Sequence, residues 1–93
     1  MSTITKEEVS TQLEELLSSP YLLVLHNDSY NTFEHVINCL IKYCDHEYEQ
    51  ASQCAFIVHH TGKCDVKRGD QEKVQDCYNK LKGAGLTVTM EIA

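Results

Sequence analysis

The chain contains no tryptophan, a single proline and only four glycines in 93 residues. Four scattered glycines cannot build a phosphate-cradling loop or a dinucleotide fingerprint, so nucleotide chemistry of those kinds is excluded. No apolar run approaches the roughly 20 residues that cross a bilayer. The opening MSTITKEE has no basic region followed by an apolar core, so it does not read as a secretory leader. The expected setting is the cytoplasm, with no membrane partner. Basic residues are also scarce: Lys+Arg number 8 against 14 Asp+Glu, a formal net charge of −6. Without a basic cluster, binding to nucleic acid or to an anionic membrane has no electrostatic footing. A cationic group on a partner suits this balance better.

Catalytic signatures are missing as well. There is no G-x-S-x-G elbow and no catalytic-cysteine signature, and the chain is not expected to be an enzyme. Five cysteines (Cys39, Cys44, Cys54, Cys64, Cys77) are an odd number that matches no disulfide framework, and in a reducing compartment they pack as small apolar groups. There is no C-x-x-C. Cys39 and Cys44 would lie about 140° apart around a helix, and Cys54 and His59 share that problem, so neither a metal nor another cofactor is expected.

What is present suits one small domain. Residues 4–17 carry Ile4, Val9, Leu13, Leu16 and Leu17 at roughly helical spacing, closed by Pro20, and read as an N-terminal arm or short helix over 1–20. The domain proper is 21–93. Tyr21 to Leu25 (YLLVL) is a continuous β-permissive run, the pattern of a central strand. Phe33, Val36, Ile37, Leu40, Ile41 and Cys44 then fall on one helical face, which predicts a buried stripe. Asn31 followed by Glu34 predicts a capping box at the start of that helix.

A second helix is expected from about residue 45 or 47 to His59, with Gly62 as its stop. Residues 64–68 alternate like a short strand. Gly69-Asp70 opens a third helix carrying Val74, Cys77, Tyr78 and Leu81, and LTVTMEI at 86–92 alternates strictly as a half-buried strand. The expected fold is α+β, a three-stranded antiparallel-type sheet covered on one face by three helices.

Between the first strand and first helix lies HNDSYNTF, residues 26–33, with more hydrogen-bonding groups than a turn requires. Asn27 and Asp28 there, and His59 in VHHTGK, are the candidates for chemistry. Their plainest use is turn and helix-end hydrogen bonding. Against that stands the apolar face beginning at Phe33 and Val36, which adjoins the polar cluster, so a pocket and a set of ligands can share a wall.

Three stretches together, VLHNDSYNTFEHV (24–36), ASQCAFIVHHTGK (51–63) and GLTVTME (85–91), resemble the ClpS adaptor family over about residues 21–93. The resemblance implies an α+β fold of the same element order. It also implies a non-enzymatic adaptor that binds proteins whose first residue is Leu, Phe, Tyr or Trp (N-degron substrates) and hands them to a Clp AAA+ unfoldase. By match, Asn27, Asp28 and His59 would grip the substrate's amino terminus. Phe33, Val36, Ala55, Val58 and Leu86 would line the pocket for its first side chain, and Lys73 would be an unfoldase-docking residue. The arm corresponds in position to the family's unfoldase-engaging extension.

The chemistry is consistent with those residue types. An α-amino group with pKa roughly 8 is a cation with three donors at neutral pH. Departures from the family pattern lie at Ser29 and Asn31-Thr32, which bear on contacts with the substrate's second residue, and at Phe33 (often Met) and Ala55 (usually larger), which bear on pocket volume. The alternative expectation is a small docking domain indifferent to its partner's first residue.

Overall fold

The computed structural model describes residues 20–93. Its elements run β1 (Tyr21–His26), α1 (Phe33–Cys44), α2 (Tyr48–Thr61), β2 (Lys63–Gly69), α3 (Gln71–Gly83) and β3 (Thr87–Ile92). The expected helix over 4–17 lies outside the described residues. The strands form one antiparallel sheet in the order β2-β1-β3. Centrality explains the unbroken apolar run in β1: Leu23, Val24 and Leu25, whose side chains alternate between the two faces, are all buried. β3 is an edge strand with one wet face, so Val88 is buried while Thr87, Thr89 and Glu91 are exposed.

The helices cover one face of the sheet and meet it in a single core. Leu23 and Leu25 of β1, Leu40 of α1, Val58 of α2, Val74 and Leu81 of α3 and Val88 of β3 all belong to it. Fully burying side chains of this size stabilises by about 1.5–3 kcal/mol each. All five cysteines are free, and four of them are buried, packing in the core as the apolar groups the sequence led us to expect.

The register slips between Leu23 and Val24: Leu23 pairs with Lys67 but Val24 with Asp65, leaving Val66 as the extra residue of a bulge. The Val66 carbonyl is thereby free to accept from His46 Nε2 at 2.6 Å. His46 is buried in the connection between α1 and α2, so this bond pins that loop to the edge of the sheet.

Two local expectations change. The capping residue of α1 is Thr32, whose hydroxyl accepts from the His35 N–H at 3.1 Å. Asn31 is drawn away to other partners. The α1 stripe is also not buried throughout: Leu40 and Cys44 are enclosed, yet Phe33 is 43% exposed at one end and Ile41 37% exposed near the other. An amphipathic period marks a face, and only the tertiary arrangement decides how far along it the neighbours reach.

Candidate functional site

The site is assembled where β1 ends, α1 begins and α2 ends. Gly62 terminates α2 with φ 98°, a left-handed conformation that costs glycine little and other residues more, and its N–H closes on the Val58 carbonyl. The same turn presents the Gly62 carbonyl to the Asn27 N–H at 2.9 Å. That one bond ties the exit of β1 to the end of α2, and so brings Asn27 alongside His59, 32 positions further along the chain.

Asp28 organises the loop that follows. Its Oδ1 accepts from the Tyr30 N–H at 2.9 Å and the Asn31 N–H at 2.8 Å, and its Oδ2 from Asn31 Nδ2 at 2.7 Å and the Thr87 hydroxyl at 3.1 Å. Partial burial works to raise the Asp28 pKa. The Asn31 N–H, the Asn31 amide, the Tyr30 N–H and the Thr87 hydroxyl together outweigh it and hold the carboxyl below its ordinary value. A carboxylate offers about four acceptor positions, so Asp28 has none to spare for a further donor unless it releases one.

Asn31 is the member that residue-by-residue reading missed. Its Nδ2 donates both to Asp28 Oδ2 and to the Gly85 carbonyl at 2.9 Å, linking the loop to the start of β3. Both partners are acceptors, which fixes which end of the amide is nitrogen. What Asn31 has left for a ligand is its carbonyl oxygen. Thr87 was missed for the same reason: a hydroxyl on an alternating strand carries no sign of the loop it will meet.

Two small adjoining cavities occupy this corner. One, about 40 Å³, is lined by Asn27, Asn31, Phe33, Val36, Ala55, Val58 and His59. The other, about 20 Å³, adds Leu25, His26, Asp28 and Leu86 to Asn27, Asn31, Val36 and Val58. Four shared residues make them parts of one groove. Every pocket and amino-terminus residue expected from sequence therefore lines this corner, although Leu86 and Asp28 belong to one end and Phe33, Ala55 and His59 to the other. The floor is apolar and the rim is hydrogen-bonding.

At the mouth the Phe33 ring leans on His59, centroids 5.3 Å apart at 56°, and His60 meets His59 edge-on at 5.2 Å. An apolar cavity of roughly 150 Å³ is what holds a benzene ring. The groove is smaller, and Phe33 is its exposed wall.

Lys73 lies elsewhere, exposed on the first turn of α3 in a roomier depression of about 360 Å³ lined also by Lys42, Lys67, Lys80 and Asp76. Two of these lysines are paired, Lys80 with Asp76 at 2.9 Å and Lys67 with Asp45 at 3.8 Å. The volume there is larger, but charged side chains make up most of its lining, with Tyr43 and Cys77 between them. Among the described residues no group of three or more His, Cys, Asp or Glu could hold a metal, and no helix is long and apolar enough to cross a membrane.

Fold and groove together define a small α+β domain with an apolar cleft rimmed by hydrogen-bonding groups, the equipment of a recognition module. Comparison with known proteins makes this specific. The family model described as "ATP-dependent Clp protease adaptor protein ClpS" matches residues 17–89. An ATP-dependent Clp protease adapter protein ClpS from Nostoc sp. is 34% identical over 91 residues, covering 92% of this chain and 89% of that protein. The ClpS of Thermosynechococcus vestitus is 37% identical over 73 residues, 73% of each chain. Among solved structures, Agrobacterium tumefaciens ClpS2 bound to L-phenylalaninamide superimposes with a TM-score of 0.71 at 21% identity, covering 82% of this chain and 99% of that one. The chain belongs to the ClpS family of Clp protease adaptor proteins.

Proposed function

We propose that this protein recognises other proteins by a free α-amino group together with a bulky apolar first residue (Leu, Phe, Tyr or Trp), and delivers them to a Clp AAA+ unfoldase in the cytoplasm without itself catalysing a reaction. The observation that carries the reading is the convergence of Asn27, Asn31 and His59 on an apolar groove whose rim also holds the Asp28 carboxylate. The solved neighbour bound to L-phenylalaninamide supports it, since that ligand is a free amine attached to a benzyl side chain.

The division of labour follows from the hydrogen bonds. Asp28 is saturated by the chain's own donors, so it serves a substrate ammonium by its charge and by holding the loop. The Asn27 and Asn31 carbonyl oxygens and a neutral His59 imidazole are the direct acceptors, and they match the three donors of the ammonium. Hydrogen bonds to a charged group contribute about 1.5–3 kcal/mol each. Burial of a Leu or Phe side chain adds about 1.5–3 kcal/mol. Micromolar binding requires roughly 8 kcal/mol; at mid-range values the three bonds give about 7 kcal/mol and the side chain about 2 kcal/mol, so the two halves reach it together. Phe33, Val36, Ala55, Val58 and Leu86 supply the apolar half. Lys73, with the lysines around it, and the arm over residues 1–20 are the unfoldase-facing parts.

Fluorescence anisotropy with pairs of peptides, identical except for acetylation of the amino terminus, tests the reading. Acetylation removes the cation and weakens binding at least 50-fold, on the order of 2–3 kcal/mol. Equal affinities for the two would reject it.

A further inference from the structure

A row of four rings runs along the surface from the mouth of the groove. Phe33 leans on His59, His59 meets the His60 ring edge-on at 5.2 Å, and His60 lies against Phe56 with centroids 4.1 Å apart and planes tilted by 42°. Phe33 and His59 line the groove, whereas His60 and Phe56 lie beyond it. All four are exposed, Phe56 to 58%, and Ile57 beside it is exposed as well. The i, i+4 spacing of Phe56 and His60 lets the pair steady α2. That purpose is served without continuing the row into the His59 wall of the groove. Exposed apolar surface contiguous with a binding cleft marks an extension of the contact. On the loop side of the groove, by contrast, Tyr30 is 90% exposed and paired with no other ring among the described residues.

We propose that the His60 and Phe56 rings form a second subsite, which takes an aromatic side chain at the third position of the bound substrate. The inference rests on the reading that the first side chain occupies the groove. An extended chain advances about 3.3 Å per residue with its side chains alternating, so the second side chain points away from the surface and the third returns to it about 7 Å further on. From His59 the row reaches the His60 centroid after 5.2 Å and continues for 4.1 Å to Phe56. A third side chain therefore falls across these two rings. An aromatic ring there meets them offset-stacked or edge-to-face, its positive edge toward a negative face, and covers apolar surface otherwise left in water. An aliphatic side chain covers such surface without the ring-to-ring attraction. Selection at this subsite is graded, because the rings lie on the surface and only part of the incoming side chain is desolvated.

The test measures binding of the full-length protein to dye-labelled peptides beginning Leu-Ala-Ala, Leu-Ala-Trp and Leu-Trp-Ala, by fluorescence anisotropy. Leu-Ala-Trp is expected to bind about fivefold more tightly than Leu-Ala-Ala, roughly 1 kcal/mol, and Leu-Trp-Ala less than about twofold more tightly. The protein has no tryptophan of its own, so an unlabelled Leu-Ala-Trp peptide reports the subsite directly, by an emission shift to shorter wavelength on binding. Both the shift and the affinity ratio between the Trp and Ala peptides should largely vanish in Phe56→Ala and, separately, in His60→Ala, and persist in Tyr30→Ala. The two ring variants are independent, so the failure of one to fold leaves the other to decide. Equal affinities for Leu-Ala-Ala and Leu-Ala-Trp would overturn the subsite, as would a gain from the second position in place of the third, a gain that survives both ring variants, or one lost in Tyr30→Ala. Those outcomes leave the groove reading standing when Leu-Ala-Ala itself binds and loses affinity on acetylation. If Leu-Ala-Ala does not bind, the groove reading fails and the subsite fails with it.

Discussion

Replacing Asp28 separates the two tasks assigned to it. Asp28→Ala removes an acceptor from four donors, the N–H groups of Tyr30 and Asn31, the Asn31 side-chain amide and the Thr87 hydroxyl. The loop is only partly enclosed, so the low end of about 0.5 kcal/mol per bond applies, and stability should fall by about 2 kcal/mol. A domain with a typical 5–15 kcal/mol stays folded after such a loss. Asp28→Asn keeps the shape and can keep both backbone N–H bonds, but it removes the charge and turns an NH₂ toward the Asn31 amide.

For binding, a carboxylate about 5 Å from an ammonium in a medium of dielectric about 40 contributes about 1.7 kcal/mol. Losing it should weaken Kd roughly 20-fold in either variant. Anisotropy with a Leu-initial peptide, run beside urea denaturation of the same samples, reads both effects at once. An Asp28→Asn protein that is folded and binds within about twofold of wild type would refute the charge argument.

Acid titration provides an independent check on the same residue. The folded-state pKa of Asp28 lies below the ordinary 3.8. Its stabilisation is therefore fully present above the unfolded-state value and is lost as pH falls through the folded-state value. The stability gap between wild type and Asp28→Asn should hold steady from neutral pH to about pH 4 and close below it.

Phe33→Ala should cost little stability, about 1 kcal/mol, because much of the ring is already in water. It opens the mouth of a small cavity, so binding should shift from Leu-initial toward Trp-initial peptides by about tenfold, measured by competition across first residues. Gly62→Ala places a side chain on a left-handed residue at φ 98°, in open space. The conformational strain of about 1 kcal/mol should appear in chemical denaturation, with weaker binding to match because this turn holds Asn27 beside His59.

Much of the architecture could be read from local chemistry. Periodicity marked three helices and two of the strands, and the unbroken YLLVL run announced the central strand. Asp70 behaves as the helix-opening residue it appeared to be, accepting from the Lys73 N–H at 2.9 Å. The capping of α1 was misread because Asn31 and Thr32 are both good capping residues. Nothing within a few positions reveals that the Gly85 carbonyl, 54 positions away, competes for the Asn31 amide. The resemblance of three separated stretches carried Asn27, Asp28 and His59 as a group, whereas periodicity and spacing alone left them as turn and helix-end residues.

The amino-acid order thus determined which segments are helix and which strand, the acid-rich surface and the residue types at the binding groove, because these depend on neighbours a few bonds away. Tertiary structure decided that the Gly62 carbonyl meets the Asn27 N–H, that Thr87 and Asn31 saturate Asp28, and that Phe33 stands at the mouth of the cavity. Those outcomes depend on groups distant in the chain competing for the same hydrogen bonds and the same volume, and that competition exists only once the sheet and helices have closed around one core.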